Sequence, residues 1–332
     1  MWFKTLTGFH EESPQQVRAN ITVDGNVLKS HVNGKMWVYG KLETPSLAEL
    51  RARVRASGHK AGKISVRELV ANVQHLHADE WNAGSLFQVA SQFNLLEMMS
   101  PNITPERGVG IYENDLTQGP ACAIAAGAGT IYRNYFAVVN GQTGQSTGNQ
   151  IDCLADVGAA LGNSEGRLWE MRNGYALASH TGLIEIANWL RASSVSDRDV
   201  LRQALRIGIQ WNTQVTLSGC VHAVSQAYCS ALPVAYSHHS SSLWAEFARL
   251  ILEASYEATI CAAILNSTRS GNNRVFLTLL GGGAFGNEIG WIIGGIRHAL
   301  TLYKHADLDV VIVSYGSPNQ DVQQLIRQIH NQ

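Results

Sequence analysis

The sequence predicts an α/β fold: a mixed sheet covered by helices on both faces. Three observations predict it. From about Lys63 onward, short apolar runs alternate with helix-like segments, the pattern of strands whose connecting helices cover a sheet. The run Val275-Phe-Leu-Thr-Leu-Leu-Gly-Gly-Gly-Ala-Phe-Gly-Asn287 reads as a buried strand and a glycine-forced turn, with a helix expected from Glu288 to Leu302. Asp309 to Ser314 reads as a last strand, followed by a helix to the end of the chain. At 332 residues the chain can bury a large core.

The elements follow in order. Ile21-Thr-Val-Asp-Gly-Asn-Val-Leu28 carries Asp-Gly, and Asn33-Gly34 precedes Met36-Trp-Val-Tyr39, so both segments read as hairpins. Ser46 to Ser57 is a short helix, with Ser46 as N-cap and Glu49 at the capping-box position. Ile64 to Val73 and Leu86 to Ala90 are strand candidates. Asn149 to Leu161, Thr181 to Arg191 and Asp197 to Ile207 (capped by Ser196) are expected as helices. Gln214 to Val221 and Gln226 to Leu232 are expected as strands, and Leu243 to Leu265 as a long helix. Asn140 to Asn149, rich in Gly, Gln, Ser and Thr, is the most loop-like interior segment.

Composition narrows the function. A formal net charge of -1 with 15% charged residues leaves no electrostatic footprint for nucleic acid. The five cysteines form no C-x-x-C pair and sit in apolar surroundings, as buried free thiols of a reducing compartment would. The N-terminus lacks the basic-then-apolar order of a signal peptide, and no apolar stretch is long enough for a membrane span. A soluble cytoplasmic protein with no membrane partner is expected.

The Gly281-Gly-Gly-Ala-Phe-Gly286 turn is the most informative feature. A glycine turn leading into a helix presents unpaired N–H groups and the helix dipole to an anion, which holds a diphosphate without Lys or Arg. Phe285 would stand out of such a loop as a flat apolar surface against a sugar. A close helix–strand crossing that needs small residues explains the glycines equally well.

Several segments carry a family resemblance. Ile64-Ser-Val-Arg-Glu-Leu-Val-Ala-Asn-Val-Gln-His-Leu-His77, followed by Leu86-Phe-Gln-Val-Ala-Ser-Gln-Phe-Asn-Leu-Leu96, resembles the opening of a macrodomain. In that family, one strand ends in a Gly-Asp-Ile-like turn that recognises adenine, and the next in an Asn-Ala-Ala-Asn-like turn beside the distal ribose. Asn72-Val73 stands at the first turn and Val89-Ala-Ser-Gln-Phe-Asn94 at the second. Gly281 to Gly286 resembles the diphosphate loop, and Thr117-Gln-Gly-Pro-Ala-Cys-Ala-Ile-Ala-Ala-Gly-Ala-Gly129 the Gly-rich ribose loop. Together with Asp115-Leu-Thr-Gln-Gly-Pro-Ala-Cys122, Thr130-Ile-Tyr-Arg-Asn-Tyr135, Tyr228-Cys-Ser-Ala-Leu-Pro-Val-Ala-Tyr236 and Tyr256-Glu-Ala-Thr259, these motifs look like the divergent macrodomain class that removes ADP-ribose from arginine, found in bacterial effectors and eukaryotes.

The resemblance covers roughly residues 60–332. It implies a hairpin-rich N-terminal extension (1–60) and a macrodomain-like domain (61–332) with a mainly helical insertion at about 140–215. Asn72 replaces the adenine-reading Asp, and the Asn-Ala-Ala-Asn turn is degenerate. The implied ligand is ADP-ribose, presented on arginine-modified proteins and held by Asn72, Val73, Asn94, Gln118, Gly119, Gly281, Gly282, Gly283, Ala284, Phe285, Gly286 and Asn287. No cofactor is implied. A non-catalytic ADP-ribose reader would share the same loops.

Breaking an ADP-ribosyl–arginine bond passes through an oxocarbenium-like transition state, and the substrate guanidinium is already cationic, so it can depart without a strong general acid. The chemistry calls for carboxylates, one to pair with the guanidinium and one to orient water or stabilise the sugar cation. Glu113 and Asp115 lead directly into the expected ribose loop, while Glu253 and Glu257 lie four apart on the long helix; of the first pair Asp115 is taken as the catalytic candidate. Each has a plainer reading. Asn114-Asp115 before Gly119-Pro120 is ordinary turn composition, and Glu246, Arg249, Glu253 and Glu257 form one helical stripe, as a solvated face would. The pairs His75/His77 and His238/His239 lack metal-ligand spacing, so no metal is expected, and there is no Gly-x-Ser-x-Gly elbow.

Overall fold

The computed structural model describes residues 1–330. The N-terminal segment contains α1 (Trp2–Thr7), α2 (Pro14–Asn20), β1 (Ile21–Asp24), β2 (Val27–Ser30), β3 (Met36–Val38), β4 (Lys41–Glu43) and α3 (Leu47–Ala56). Next come β5 (Ser65–Val70), α4 (Val73–Ala78), β6 (Leu86–Ala90), α5 (Gln118–Ala125), α6 (Gly127–Tyr135), and the short β7 (Val138–Val139) and β8 (Gln142–Thr143). They are followed by α7 (Ala155–Leu161), β9 (Trp169–Arg172), β10 (Tyr175–Ala178), α8 (His180–Ala192), α9 (Val195–Ala204), β11 (Gly208–Gln214) and β12 (Ala223–Cys229). The chain closes with α10 (Ser241–Ser270), β13 (Arg274–Thr278), α11 (Ile289–Leu302), β14 (Asp309–Ser314) and α12 (Gln320–His330). The last two residues of the expected C-terminal helix lie outside the described residues.

The central sheet has the order β4-β11-β12-β6-β13-β14-β5. Its last five strands are mutually parallel, while β11 runs antiparallel to both β12 and β4. The expected fold class, a mixed sheet flanked by helices, is the one observed. Alternation along β6 shows how the faces divide. Phe87 stacks on His77 of α4 and on Phe276, while the Gln88 amide donates to Thr259 of α10. The α4–α6 group and α10 therefore cover opposite faces. The thirty-residue α10 is buried along most of its length, beneath α3, α8, α9 and α11.

The first sixty residues are joined to this body. Strand β4 pairs with β11, and Phe3, Leu6, Phe9, Val17, Leu28 and Trp37 share a second core with Ala128, Ile131 and Tyr135 of α6. Both hairpins form, and the Ser46–Glu49 capping box is complete. The stretch expected as a helical insertion also supplies β9, β10 and the sheet strand β11.

Several expected bounds are corrected. The strand placed at Gln214–Val221 lies earlier, at Gly208–Gln214, because Thr216 leaves the ladder to accept the Gly127 N–H and Gly219 turns the chain at φ +83°. Its partner is Ala223–Cys229 rather than Gln226–Leu232. Ser194 caps α9 in place of Ser196, through a reciprocal box with Asp197. The strand expected to reach Val73 stops at Val70, and Asn72 instead caps α4 by accepting the Gln74 N–H. The helix expected from Asn149 begins only at Ala155, while the long helix extends beyond Leu265 to Ser270. Thr117–Gly129, expected as a loop, is the helix pair α5 and α6.

Candidate functional site

A cleft of about 210 Å³ opens at the carboxyl ends of the neighbouring strands β12, β6 and β13. That is where open α/β sheets place ligands. Its walls come from the turn after β6, the start of α5, the glycine loop after β13, Tyr175 of β10 and Tyr236.

The glycine loop is held by its own backbone. Gly281 takes φ +75°, and a Cβ there would run into Ala231, so only glycine fits. Asn287 ties the ends together. Its N–H donates to Gly281 O at 2.9 Å and its side-chain amide to Leu232 O at 2.8 Å. Among the described residues, the N–H groups of Gly283, Ala284 and Phe285 meet no acceptor. Phe285 forms an aromatic wall with Tyr175 and Tyr236, at ring separations of 5.3 and 5.6 Å. The two tyrosine hydroxyls donate to Met98 O and Met99 O, which anchors this wall on the turn after β6.

On the opposite side, α5 is bolted to the end of β6. The Gln118 side chain accepts from Ala90 N–H at 2.9 Å and donates to Gln88 O at 2.8 Å. Gly119 packs so tightly on the Ala90 carbonyl that no Cβ could be accommodated. Asp115, partly exposed, lines the same side and accepts the Thr117 N–H at 2.9 Å.

The turn after β6 supplies a second cleft acid, Glu97, which sequence reasoning did not single out. Leu95 takes φ 64°, unusual for a residue with a branched side chain, and redirects the chain so that Glu97 faces inward. Glu97 is 2% exposed. Its N–H donates to the Tyr112 hydroxyl at 3.0 Å, its Oε1 lies 3.4 Å from Arg133, and its Oε2 has no partner. Burial pushes its carboxyl up to about 7, and the Arg133 guanidinium offsets only part of that rise. Its only sequence signal is an acid inside the apolar run Leu95-Leu-Glu-Met-Met99.

Of the residues expected at the site, the cleft gathers Asp115, Gln118, Gly119, Gly281, Gly283, Ala284 and Phe285. Gly282, Gly286 and Asn287 complete the loop without lining the cleft. Asn72 and Val73 lie two strands away, after β5, where Asn72 caps α4 and Val73 is buried. Asn94 is wholly buried beneath the β9–β10 turn. It donates to Gln150 and accepts from Leu96 N–H, so it locks the insertion to the turn rather than facing the cleft.

Glu253 and Glu257, expected at the site, lie on α10. Neither borders the cleft. Glu257 is buried, and its two oxygens accept from Arg51 at 2.5 and 2.7 Å, with Tyr303 and His298 alongside, so the stripe is solvated at Arg249 but not at Glu257. Glu253 pairs with Arg202 of α9 at 3.0 Å. These acids hold α10 to α3 and α9. His77 is buried while His75 is exposed, and among the described residues no three His, Cys, Asp or Glu side chains gather as metal ligands would. The cysteines are unpaired, with Cys220 partly exposed and the other four buried. Among the described residues, no helix is long and apolar enough to cross a membrane.

No protein-family model matches the chain, and a comparison with curated proteins gives no match. Among solved structures the chain is similar to poly(ADP-ribose) glycohydrolase from Deinococcus radiodurans in complex with ADP-ribose. The identity is 10% over 87% of this chain and 93% of that one, with a TM-score of 0.47. It is also similar to poly(ADP-ribose) glycohydrolase from Thermomonospora curvata bound to the inhibitor ADP-HPD, at 11% identity over 95% of each chain and a TM-score of 0.44.

Proposed function

We propose that the protein hydrolyses the glycosidic bond of ADP-ribose attached to protein, with arginine-linked mono-ADP-ribose as its substrate. The observation that carries this reading is a single cleft with an amide-lined, aromatic-walled loop on one side and two carboxyls, Glu97 and Asp115, on the other. The loop amides suit a diphosphate and Phe285 suits a ribose face. At about 210 Å³ the cleft takes the ribose–diphosphate end of the ligand. The base would then extend over the carboxyl ends of β14 and β5, which carry the exposed Tyr315 and Asn72.

The acids divide the work by burial. The leaving group belongs to a protein that stays outside, so Asp115, partly exposed at the cleft's edge, pairs with the guanidinium. Glu97 is the base. As the C–N bond breaks, its electron pair stays with the arginine nitrogen, giving a neutral guanidine and a sugar cation. Water adds to the anomeric carbon, its proton passes to Glu97, and the basic guanidine takes that proton up. A carboxyl near pH 7 suits this transfer.

Two measurements test the proposal. Calorimetry should show ADP-ribose binding, and no binding at millimolar ligand would eliminate the cleft as the site. Arginine-modified peptide should release free ADP-ribose without added metal, faster than serine- or acid-linked forms. Binding of the peptide without release would make the protein a reader, and preference for the ester would refute the arginine assignment.

A further inference from the structure

We propose that Glu11, in the N-terminal segment, is a positioning residue that holds both acids of the cleft in place; this rests on the hydrolytic reading above. Glu11 lies between α1 and α2, outside the central sheet, and its carboxylate is committed to the turn that precedes α5. Oε1 accepts from Val109 N–H at 3.0 Å and from the Tyr135 hydroxyl at 2.6 Å, while Oε2 accepts from Gly110 N–H at 2.6 Å. The turn is shaped to receive it. A Cβ on Gly108 or Gly110 would stand 2.5 or 2.7 Å from Oε2, so both positions need glycine for the carboxylate to enter.

From this anchor two connections reach the cleft. Tyr112 N–H donates to Val109 O, and the Tyr112 hydroxyl receives the Glu97 N–H at 3.0 Å. Asp115 N–H donates to Tyr112 O at 3.1 Å. Tyr112 is therefore the common support of the buried acid and the edge acid, and Glu11 fixes the backbone on which Tyr112 stands. Helix α1 reinforces the turn, because the Trp2 N–H donates to the Glu113 carboxylate at 3.1 Å. The ionisable groups facing Glu97 are Arg133 of α6, Tyr228 of β12, Cys122 of α5 and Tyr112. Of these, Tyr112 sits on the clamped turn and also faces Glu11.

Replacing Glu11 by Gln puts an amide donor against backbone donors and should loosen the turn. In the full-length protein, Glu11→Gln should lower kcat about tenfold while leaving KM and ADP-ribose affinity unchanged, and should move the inflection of the pH–rate profile. Tyr112→Phe, which removes the acceptor of the Glu97 N–H, should do the same. A Glu11→Gln protein that is less heat-stable, yet keeps the wild-type kcat and inflection, would overturn the proposal. A second readout does not depend on hydrolysis: the Glu97 carboxyl titration, followed by carbon-13 NMR in glutamate-labelled protein. A moved midpoint in Glu11→Gln supports the clamp even if the wild type cleaves nothing, and an unmoved midpoint refutes it. If Glu11→Gln does not fold, Tyr135→Phe removes one of the three donors, and the same shift or absence of shift decides.

Discussion

The guanidinium of Arg133 lies 3.7 Å from the centre of the Tyr228 ring. Both side chains are fully buried, and Arg133 is fixed there by bonds to Leu95 O, the Tyr228 hydroxyl and Thr130. Glu97 meets it at 3.4 Å, long for a charge-assisted bond. The cation is thus close enough to temper the burial of Glu97 but too committed elsewhere to cancel it. This explains a carboxyl poised near 7 beside a buried arginine.

That poise gives a pH-dependent rate. As a base, Glu97 must be ionised, so kcat should rise through about pH 7 and fall roughly tenfold per unit below it. Glu97→Gln should lose about 10²-fold or more in kcat and the inflection with it, while ADP-ribose affinity holds. A rate that instead falls as pH rises through 7 would make Glu97 a general acid and favour an O-linked substrate.

Asp115, Glu253 and Glu257, the acids expected from sequence to be catalytic, should separate by assay. Asp115→Asn should lower turnover by about 10²-fold with an unchanged melting temperature. Glu257→Gln should do the reverse: it removes the buried half of the Arg51 contacts, while Asp199 still pairs with Arg51 at 2.7 Å, so the cost should be about 1.5–3 kcal/mol. Glu253→Gln, at a pair whose carboxylate is 30% exposed, should cost about 1 kcal/mol. Loss of turnover in Glu257→Gln at full stability would return that residue to the mechanism.

The glycines should separate in the same way. A side chain at Gly119 pushes α5 off the Ala90 carbonyl, so Gly119→Ala should lose about 1–3 kcal/mol in urea denaturation and weaken ligand binding. Gly283 has open space where a Cβ would go. Gly283→Glu should therefore fold normally and abolish ADP-ribose binding by placing a carboxylate among the loop amides. Unchanged calorimetric affinity in Gly283→Glu would remove the loop from the anion site.

Local chemistry was legible in the sequence and long-range pairing was not. The Gly281–Asn287 turn, the strand Asp309–Ser314 and the Ser46 capping box depend on residues within a few positions of each other, and they appear where expected. The i,i+4 spacing of Glu253 and Glu257 reveals a shared helical face but not that Arg51, far away in sequence, covers one of them. Glu97 has no spacing signature, because its place in the cleft follows from the positive φ at Leu95 and from Arg133 on another helix. Tyr175, inside the insertion, reaches the cleft only because the β9–β10 hairpin folds over Asn94; there Phe93 N–H bonds Gly174 O.

His77 and Glu97 should give the folded state opposing pH dependences. His77 is buried against Phe87 and donates from Nδ1 to Val73 O, while Nε2 accepts from the Gln226 amide, an arrangement with no room for a second ring proton. Burial pulls it from 6.5 to about 4. Between those values only the unfolded chain binds the proton, so this group lowers stability as pH falls. Glu97 is raised from 4.5 to about 7, so between those values only the folded chain binds the proton, and stability rises as pH falls. Each span of about 2.5 pH units corresponds to roughly 3 kcal/mol, so the two offset one another in the wild type. His77→Gln should then become more stable from pH 7 to 5 relative to its own value at pH 7, and Glu97→Gln less stable, as read by urea midpoints. Parallel slopes in both variants and the wild type would show that neither group carries a shifted proton equilibrium in the fold.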